Sequence, residues 1–270
     1  MLKFLFALLF MLPILAFAQA WNPIGGKSAS MANASVTNVD AWSFHHNPGA
    51  AGALTKRSIG LFYENRFLLQ ELQTQGIVVN QPLKKGVISV GAQVYGFELY
   101  RTYRAGIGYA LPLSDRFYAG VQLNYLGVQL REPYGTKHGA SAEMGLYAKL
   151  TDNWTLGVAV FNIGRMKLAD FQDDRFTTLM RLGTGYSFSE QVTVVAEAEK
   201  NLDYPIRAKI GIDYQPITPF SIRAGVATEP LELTFGFGYN WKWLQIDLGS
   251  AFQYQLGWSP HFSITFSDQK

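Results

Sequence analysis

The chain has 270 residues, no cysteine, 16% charged residues and a formal net charge of +3. Lys3 is the one charge in the first twenty positions, so the remainder carries 22 basic against 20 acidic residues, without the basic stripe of a nucleic-acid binder. The lack of thiols excludes disulfides, thiol catalysis, thiolate zinc sites and a lipid-modified N-terminal cysteine.

Met1 to Ala20 combines Lys3, an apolar core from Phe4 to Phe17 and small residues at Ala18 and Ala20. This layout predicts a secretory signal over residues 1–20, cleaved before Trp21 or, as second choice, before Gln19. The other reading, an N-terminal anchor helix, suffers from the shortness of the run. After Trp21 no run of about eighteen apolar residues follows, so no helix is expected to span a membrane. The exported chain either dissolves in the periplasm or inserts as a barrel.

Residues 21–57 differ in texture from the rest. Gly25, Gly26, Ser28, Ala29, Ser30, Ala32, Asn33, Ala34 and Ser35 are small, and no period of two appears. Then come Trp42, Phe44, His45, His46, Asn47, Pro48 and Gly49. Small residues permit close packing, and Asn-Pro-Gly marks a turn. The segment is expected to form a compact plug in a barrel mouth. A flexible leader is the alternative, but it would leave Trp42 and Phe44 exposed.

From Ser58 a strand pattern runs almost without break, over 58–67, 72–81, 86–97, 101–112, 116–129, 139–150, 153–163, 176–188, 190–200, 206–215, 219–227, 231–241, 244–255 and 258–267. The clearest example is Leu231 to Trp241, where Leu231, Leu233, Phe235, Phe237, Tyr239 and Trp241 alternate with Glu232, Thr234, Gly236, Gly238 and Asn240. Period two puts these sets on opposite faces. One face is large and apolar, the other polar or glycine, which is the pattern of a transmembrane strand with lipid outside and a polar lumen inside. Residues 58–270 supply about fifteen residues per strand and link, and an even count returns both ends to one side of the membrane. The expected fold is all-β, an antiparallel up-and-down transmembrane barrel of about fourteen strands.

A hairpin phrase repeats along this region: a tyrosine at a strand end, a short polar or proline turn, and a new strand. Tyr109, Tyr147, Tyr186, Tyr214 and Tyr239 mark it, at spacings of 38, 39, 28 and 25 residues. With Trp241 and Trp243 they are expected to form the interfacial girdle at the bilayer surface. The tight turns conventionally face the periplasm. The outward connections, such as Arg131 to His138 and Gly164 to Arg175, are short for an extracellular enzyme domain or a broad lid.

Inward parity gathers charges. Glu197 and Glu199 share a face on one strand and Arg207 and Lys209 on the next, so a turn near Asp203 sets Glu197 across from Lys209 and Glu199 across from Arg207. Asp213, Arg223, Glu232 and Asp247 continue the cluster, with Arg104, Glu143 and Arg181 across the wall. Two readings stand: a self-neutralising lumen that holds the plug, or a charged conduit for a polar solute. His45 and His46 have no spaced partner, so hydrogen bonding within the plug is expected rather than a metal site. No nucleophile elbow or phosphate loop is present, so neither catalysis nor a cofactor is expected.

Gly25-Gly26, the small residues to Val36, Asp40-Ala41-Trp42-Ser43 and Asn47-Pro48-Gly49 resemble the N-terminal hatch of FadL-type barrels. Together with Tyr109 to Arg116 they are most similar to the PorV/PorQ branch of Bacteroidetes. Asn47 and Pro48 match the hatch's Asn-Pro-Ala, and Gly49 stands where that motif has alanine. The resemblance implies fourteen strands, an N-terminal plug, and either uptake of hydrophobic molecules or service in type IX secretion. With the long outer loops of the transporters missing, the expectation is a non-catalytic accessory subunit of a secretion or outer-membrane assembly complex. It would sit in the bilayer and contact other outer-membrane or periplasmic proteins. A FadL-like channel for hydrophobic or small solutes is the alternative.

Overall fold

A computed structural model describes residues 23–131, 135–167 and 175–268. Its strands are β1 (Ser58–Asn65), β2 (Gln73–Pro82), β3 (Val87–Gly96), β4 (Tyr100–Pro112), β5 (Phe117–Leu130), β6 (Thr136–Lys149) and β7 (Trp154–Phe161). They continue as β8 (Leu179–Ser187), β9 (Val192–Asn201), β10 (Ile206–Ile217), β11 (Phe220–Ala227), β12 (Glu232–Trp241), β13 (Leu244–Gln253) and β14 (Gly257–Ser267). Each pairs antiparallel with its neighbours in sequence, and β1 closes on β14, from Ser58 opposite Ser267 to Glu64 opposite His261. Closure leaves no sheet edge along most of the wall, which is what allows strands to cross a hydrocarbon layer.

The alternation that defines the strands also decides which face turns inward. On β12, Glu232, Thr234, Gly236 and Gly238 are buried, whereas Leu233, Phe235 and Phe237 are 50%, 43% and 59% exposed. The same inversion recurs around the barrel, with Ile107, Leu123, Met144, Leu182, Ile210 and Leu248 all exposed on the outer wall. A water-soluble fold would bury such a continuous apolar band. Here it matches the lipid-facing belt of a membrane barrel.

Both ends of the sheet, Ser58 and Ser267, lie on one rim together with the tight links, such as Trp241 to Leu244. The opposite, outer rim carries the longer connections, of which residues 132–134 and 168–174 lie outside the described part. There β6 outruns its neighbour: its ladder with β7 covers only Met144 to Lys149, and beyond that Ala142 O accepts from Ile163 N at 3.1 Å.

The N-terminal segment lies within the barrel. Short helices at Gly26–Ala29, Ser43–His46 and Pro48–Ala51 fold across the bore, and Ile24, Met31, Ala34, Val36, Trp42 and Phe44 are almost fully buried. A hydrophobic core forms where Ile24, Ala29, Ala41, Trp42 and Phe44 meet Phe62 and Val78 of the β1–β2 wall. Inward glycines make the room. A Cβ on Gly145 would lie 2.0 Å from Asn47 Oδ1, and one on Gly236 2.0 Å from Ser30 Oγ.

Candidate functional site

The barrel interior holds most of the buried polar chemistry, and Glu197 is its focus. On β9 its carboxylate accepts from Arg181 Nε of β8 at 2.8 Å and from Lys209 Nζ of β10 at 3.2 Å. The other oxygen accepts the backbone N–H groups of Ser35 and Val36 at 2.8 and 2.9 Å. Arg181 completes the tie by donating to His46 O, Asn33 O and Ser35 Oγ at 2.9, 3.0 and 2.9 Å. Buried charges persist only when paired and hydrogen-bonded, and here the partners come from both the wall and the inner segment.

The predicted register is found: Lys209 sits opposite Glu197 and Arg207 opposite Glu199. The ion pairs differ in part. Lys209 reaches Glu199 as well, at 2.7 Å, whereas Arg207 turns to Glu232 on β12, at 3.2 Å. Arg207 is long enough to reach past a neighbouring strand, and Lys209 already occupies Glu199. On the far side, Arg223 lies between Asp213 at 3.0 Å and Asp247 at 2.5 Å. Asp213 also holds Lys27 of the inner segment at 2.9 Å. Across the wall, Arg104 pairs with Glu143, which also accepts from Asn124 at 2.7 Å.

The motif around Asn47 is the second anchor. Asn47 Nδ2 donates to Val36 O at 2.8 Å and to Leu146 O of β6 at 2.9 Å, while Oδ1 accepts from Gly49 N at 2.9 Å. One amide thus shapes the turn, joins two parts of the segment and binds the wall. Pro48 backs onto β5, where a Cβ on Gly120 would lie 2.3 Å from Pro48 O. A Cβ on Gly49 would come within 2.5 Å of Gly145 O, so glycine fits at this position where alanine would not. Trp42 packs edge-on against Phe62, and Phe44 lies against Gly91 with the Arg104 guanidinium 5.8 Å from its ring centre.

Both histidines of the motif are buried. His46 Nε2 meets Ile24 O at 2.8 Å and Ser28 Oγ at 3.2 Å, and His45 Nε2 meets Ile77 O of β2 at 3.4 Å. His45 therefore contacts the wall, not only the segment itself. Burial lowers the His46 pKa to about 4 and holds His45 well below the ordinary histidine range, the latter aided by Arg104 and His46. The two rings line a cavity of about 20 Å³ with Arg104, Glu143, Phe161, Leu179 and Arg181.

Between this cavity and the outer rim lies an apolar cluster that sequence reading missed. Leu126 and Val128 of β5, Phe161 of β7, Leu179 of β8 and Phe176 of the preceding link are buried together, with Tyr100 and Met166 packed on them. The signal was available: Leu126 and Val128 share the inward parity of Gln122 and Asn124.

At the tight-turn rim, Tyr109, Tyr186, Tyr214, Trp241 and Trp243 are exposed on the outer wall, and Tyr239 is half-buried there with its ring against Phe220. Tyr147 is a correction. It is 4% exposed, shares the inward parity of Glu143 and Gly145, and packs against Tyr118 with ring centres 5.8 Å apart.

These features define the class: a closed fourteen-stranded antiparallel barrel with the fold of FadL-type outer-membrane channels. Among similar solved structures is the CymD monoaromatic hydrocarbon channel, at 13% identity and a TM-score of 0.68, covering 92% of this chain and 97% of that one. The Ralstonia pickettii toluene transporter TbuX matches at 13% identity and 0.67, over 92% and 98%. A Pseudomonas aeruginosa FadL homologue matches at 13% and 0.62, over 90% and 97%. Identity this low carries the fold alone, and it gives no support to the narrower PorV/PorQ and Bacteroidetes assignment. No protein-family model matches the sequence, and no curated protein does.

Proposed function

We propose that the chain is a bacterial outer-membrane barrel that passes small apolar solutes past an N-terminal plug. In this reading residues 1–20 are the export signal, residues 21–57 the plug and residues 58–270 the barrel. The observation that carries it is the apolar cluster of Leu126, Val128, Phe161, Phe176 and Leu179 inside the outer end of the bore. A porin lumen is polar and wet. An apolar lining at the mouth instead favours a solute that has shed its water, at roughly 25 cal/mol per Å² of apolar surface. The likeness to a monoaromatic hydrocarbon channel and a toluene transporter supports the same direction. Proteoliposomes containing the processed barrel and a lipopolysaccharide outer leaflet, which slows leakage of apolar solutes through the lipid, test it: toluene should enter faster than in matched empty vesicles, and a sugar of similar size should not. Equal toluene rates with and without protein would refute the reading.

The accessory role in secretion or assembly is the second reading. It is favoured by the plug's charged clamp at Glu197 and by the outer part of β6 that lacks β7 as a partner. Unpaired strand edges are sites for strand addition by another protein. Stable protein partners in a mild-detergent pull-down would favour it.

A further inference from the structure

The cavity beneath the apolar cluster has a chemistry of its own. His45 and His46 are 5% and 3% exposed, and the Nδ1 atom of each has no hydrogen-bond partner among the described residues. Leaving such an acceptor buried and unpaired costs free energy, so each asks for a donor. The tautomer follows from the other nitrogen. In both rings Nε2 faces a backbone carbonyl, Ile77 O or Ile24 O, and must carry the proton to bond it. Nδ1 is then a bare lone pair, an acceptor and nothing else.

The charged groups around the cavity are already engaged. Arg104 is paired with Glu143 and bonds Asn124 Oδ1 at 3.2 Å. Arg181 is spread over Glu197, His46 O, Asn33 O and Ser35 Oγ. What the site offers a newcomer is two neutral acceptors below, and Phe161 and Leu179 above.

We propose that this is a binding site for a small apolar molecule bearing one neutral hydrogen-bond donor, a phenol or an alcohol, whose hydroxyl gives its one proton to the Nδ1 atom of His45 or of His46. The cavity of about 20 Å³ has room for one hydroxyl or water. The body of the molecule parts Phe161 from Leu179 and lies among the apolar side chains. A carboxylate has no proton to give and meets two lone pairs. A hydrocarbon leaves both acceptors unpaired. The inference deepens the channel reading and rests on it for the route, whereas the site is tested by binding alone.

The experiment uses the processed barrel in detergent with ¹⁵N-labelled histidine, titrated at pH 7.5 with phenol, toluene and benzoate. Phenol should move the Nδ1 signal of His45 or of His46 towards its hydrogen-bonded position, and toluene and benzoate should leave both in place. In whichever of His45→Phe and His46→Phe removes the shifted imidazole, the phenol-to-toluene affinity ratio should fall about three- to tenfold, the worth of a hydrogen bond. Stationary imidazole signals with phenol would overturn the proposal, as would an unchanged ratio in that variant when it keeps the folded barrel. Should the variants fail to fold, the wild-type titration decides alone. Binding without toluene flux would sink the channel and keep the site; flux without phenol-dependent shifts would do the reverse.

Discussion

Arg181 and Glu197, on adjacent strands, meet at 2.8 Å and between them hold five groups of the N-terminal segment. Neither is a simple wall charge. Glu197→Gln removes the nearer of the two carboxylates that Arg181 shares with Lys209 and leaves both buried cations to Glu199 alone, a loss of about 3 kcal/mol. Limited trypsin digestion of the folded barrel should then cut at Lys27, which stays protected in the wild type. Glu199→Gln, which removes a partner of Lys209 and of Arg181 but no bond to the segment, should leave that protection intact.

Gly145 tests the second anchor. A Cβ there would lie 2.0 Å from Asn47 Oδ1, and the neighbouring contact is backbone, Gly49 N at 2.8 Å, so the wall cannot yield cheaply. Gly145→Ala should unseat the Asn47 turn while the strands still close. Heat-modifiable migration on gels should persist, and ion conductance in planar bilayers should rise as the N-terminal segment loosens.

The buried histidines set a pH limit. His46 is lowered to about 4 in the folded chain, mainly by burial, and returns to the ordinary value near 6.5 when the N-terminal segment undocks and unfolds. The undocked state therefore binds more protons between these values, so stability rises with pH across that window. It is fully present above about pH 6.5 and falls by on the order of 3 kcal/mol as the pH approaches 4. Amide exchange of Ile24 to Ser28 should quicken accordingly, and His46→Asn should flatten the dependence.

Leu179 probes the solute path. It lies in the apolar cluster and lines the cavity below it. Leu179→Asp puts a charge there that repels a dehydrated solute, so toluene flux into proteoliposomes should drop by at least about tenfold. Leu179→Met keeps the surface apolar and should change flux little.

The wall was legible because period two is a local signal: each strand end falls within three residues of its expected place. The pairing of Glu197 with Lys209 was legible too, since one tight link at Asp203 fixes the register. Arg207 was not, because its choice of Glu232 depends on a reach across β11 that no local pattern encodes. Tyr147 shows a different failure. The repeated hairpin phrase reports that a tyrosine stands at a strand end, but the face is set by parity, and Tyr147 shares its parity with Glu143. The apolar cluster escaped because its members come from β5, β7, β8 and a link, and only the closed barrel brings them together.

Tethering the N-terminal segment to the wall tests the proposed passage most directly. A Cβ on Gly52 would lie 3.4 Å from Ala110 Cβ of β4, close to the separation of about 3.5–4.5 Å that a disulfide needs, and the chain has no cysteine to interfere. In the double variant Gly52→Cys, Ala110→Cys, oxidation should stop toluene uptake by proteoliposomes and reduction should restore it. Uptake that continues unchanged with the tether closed would contradict passage past the plug.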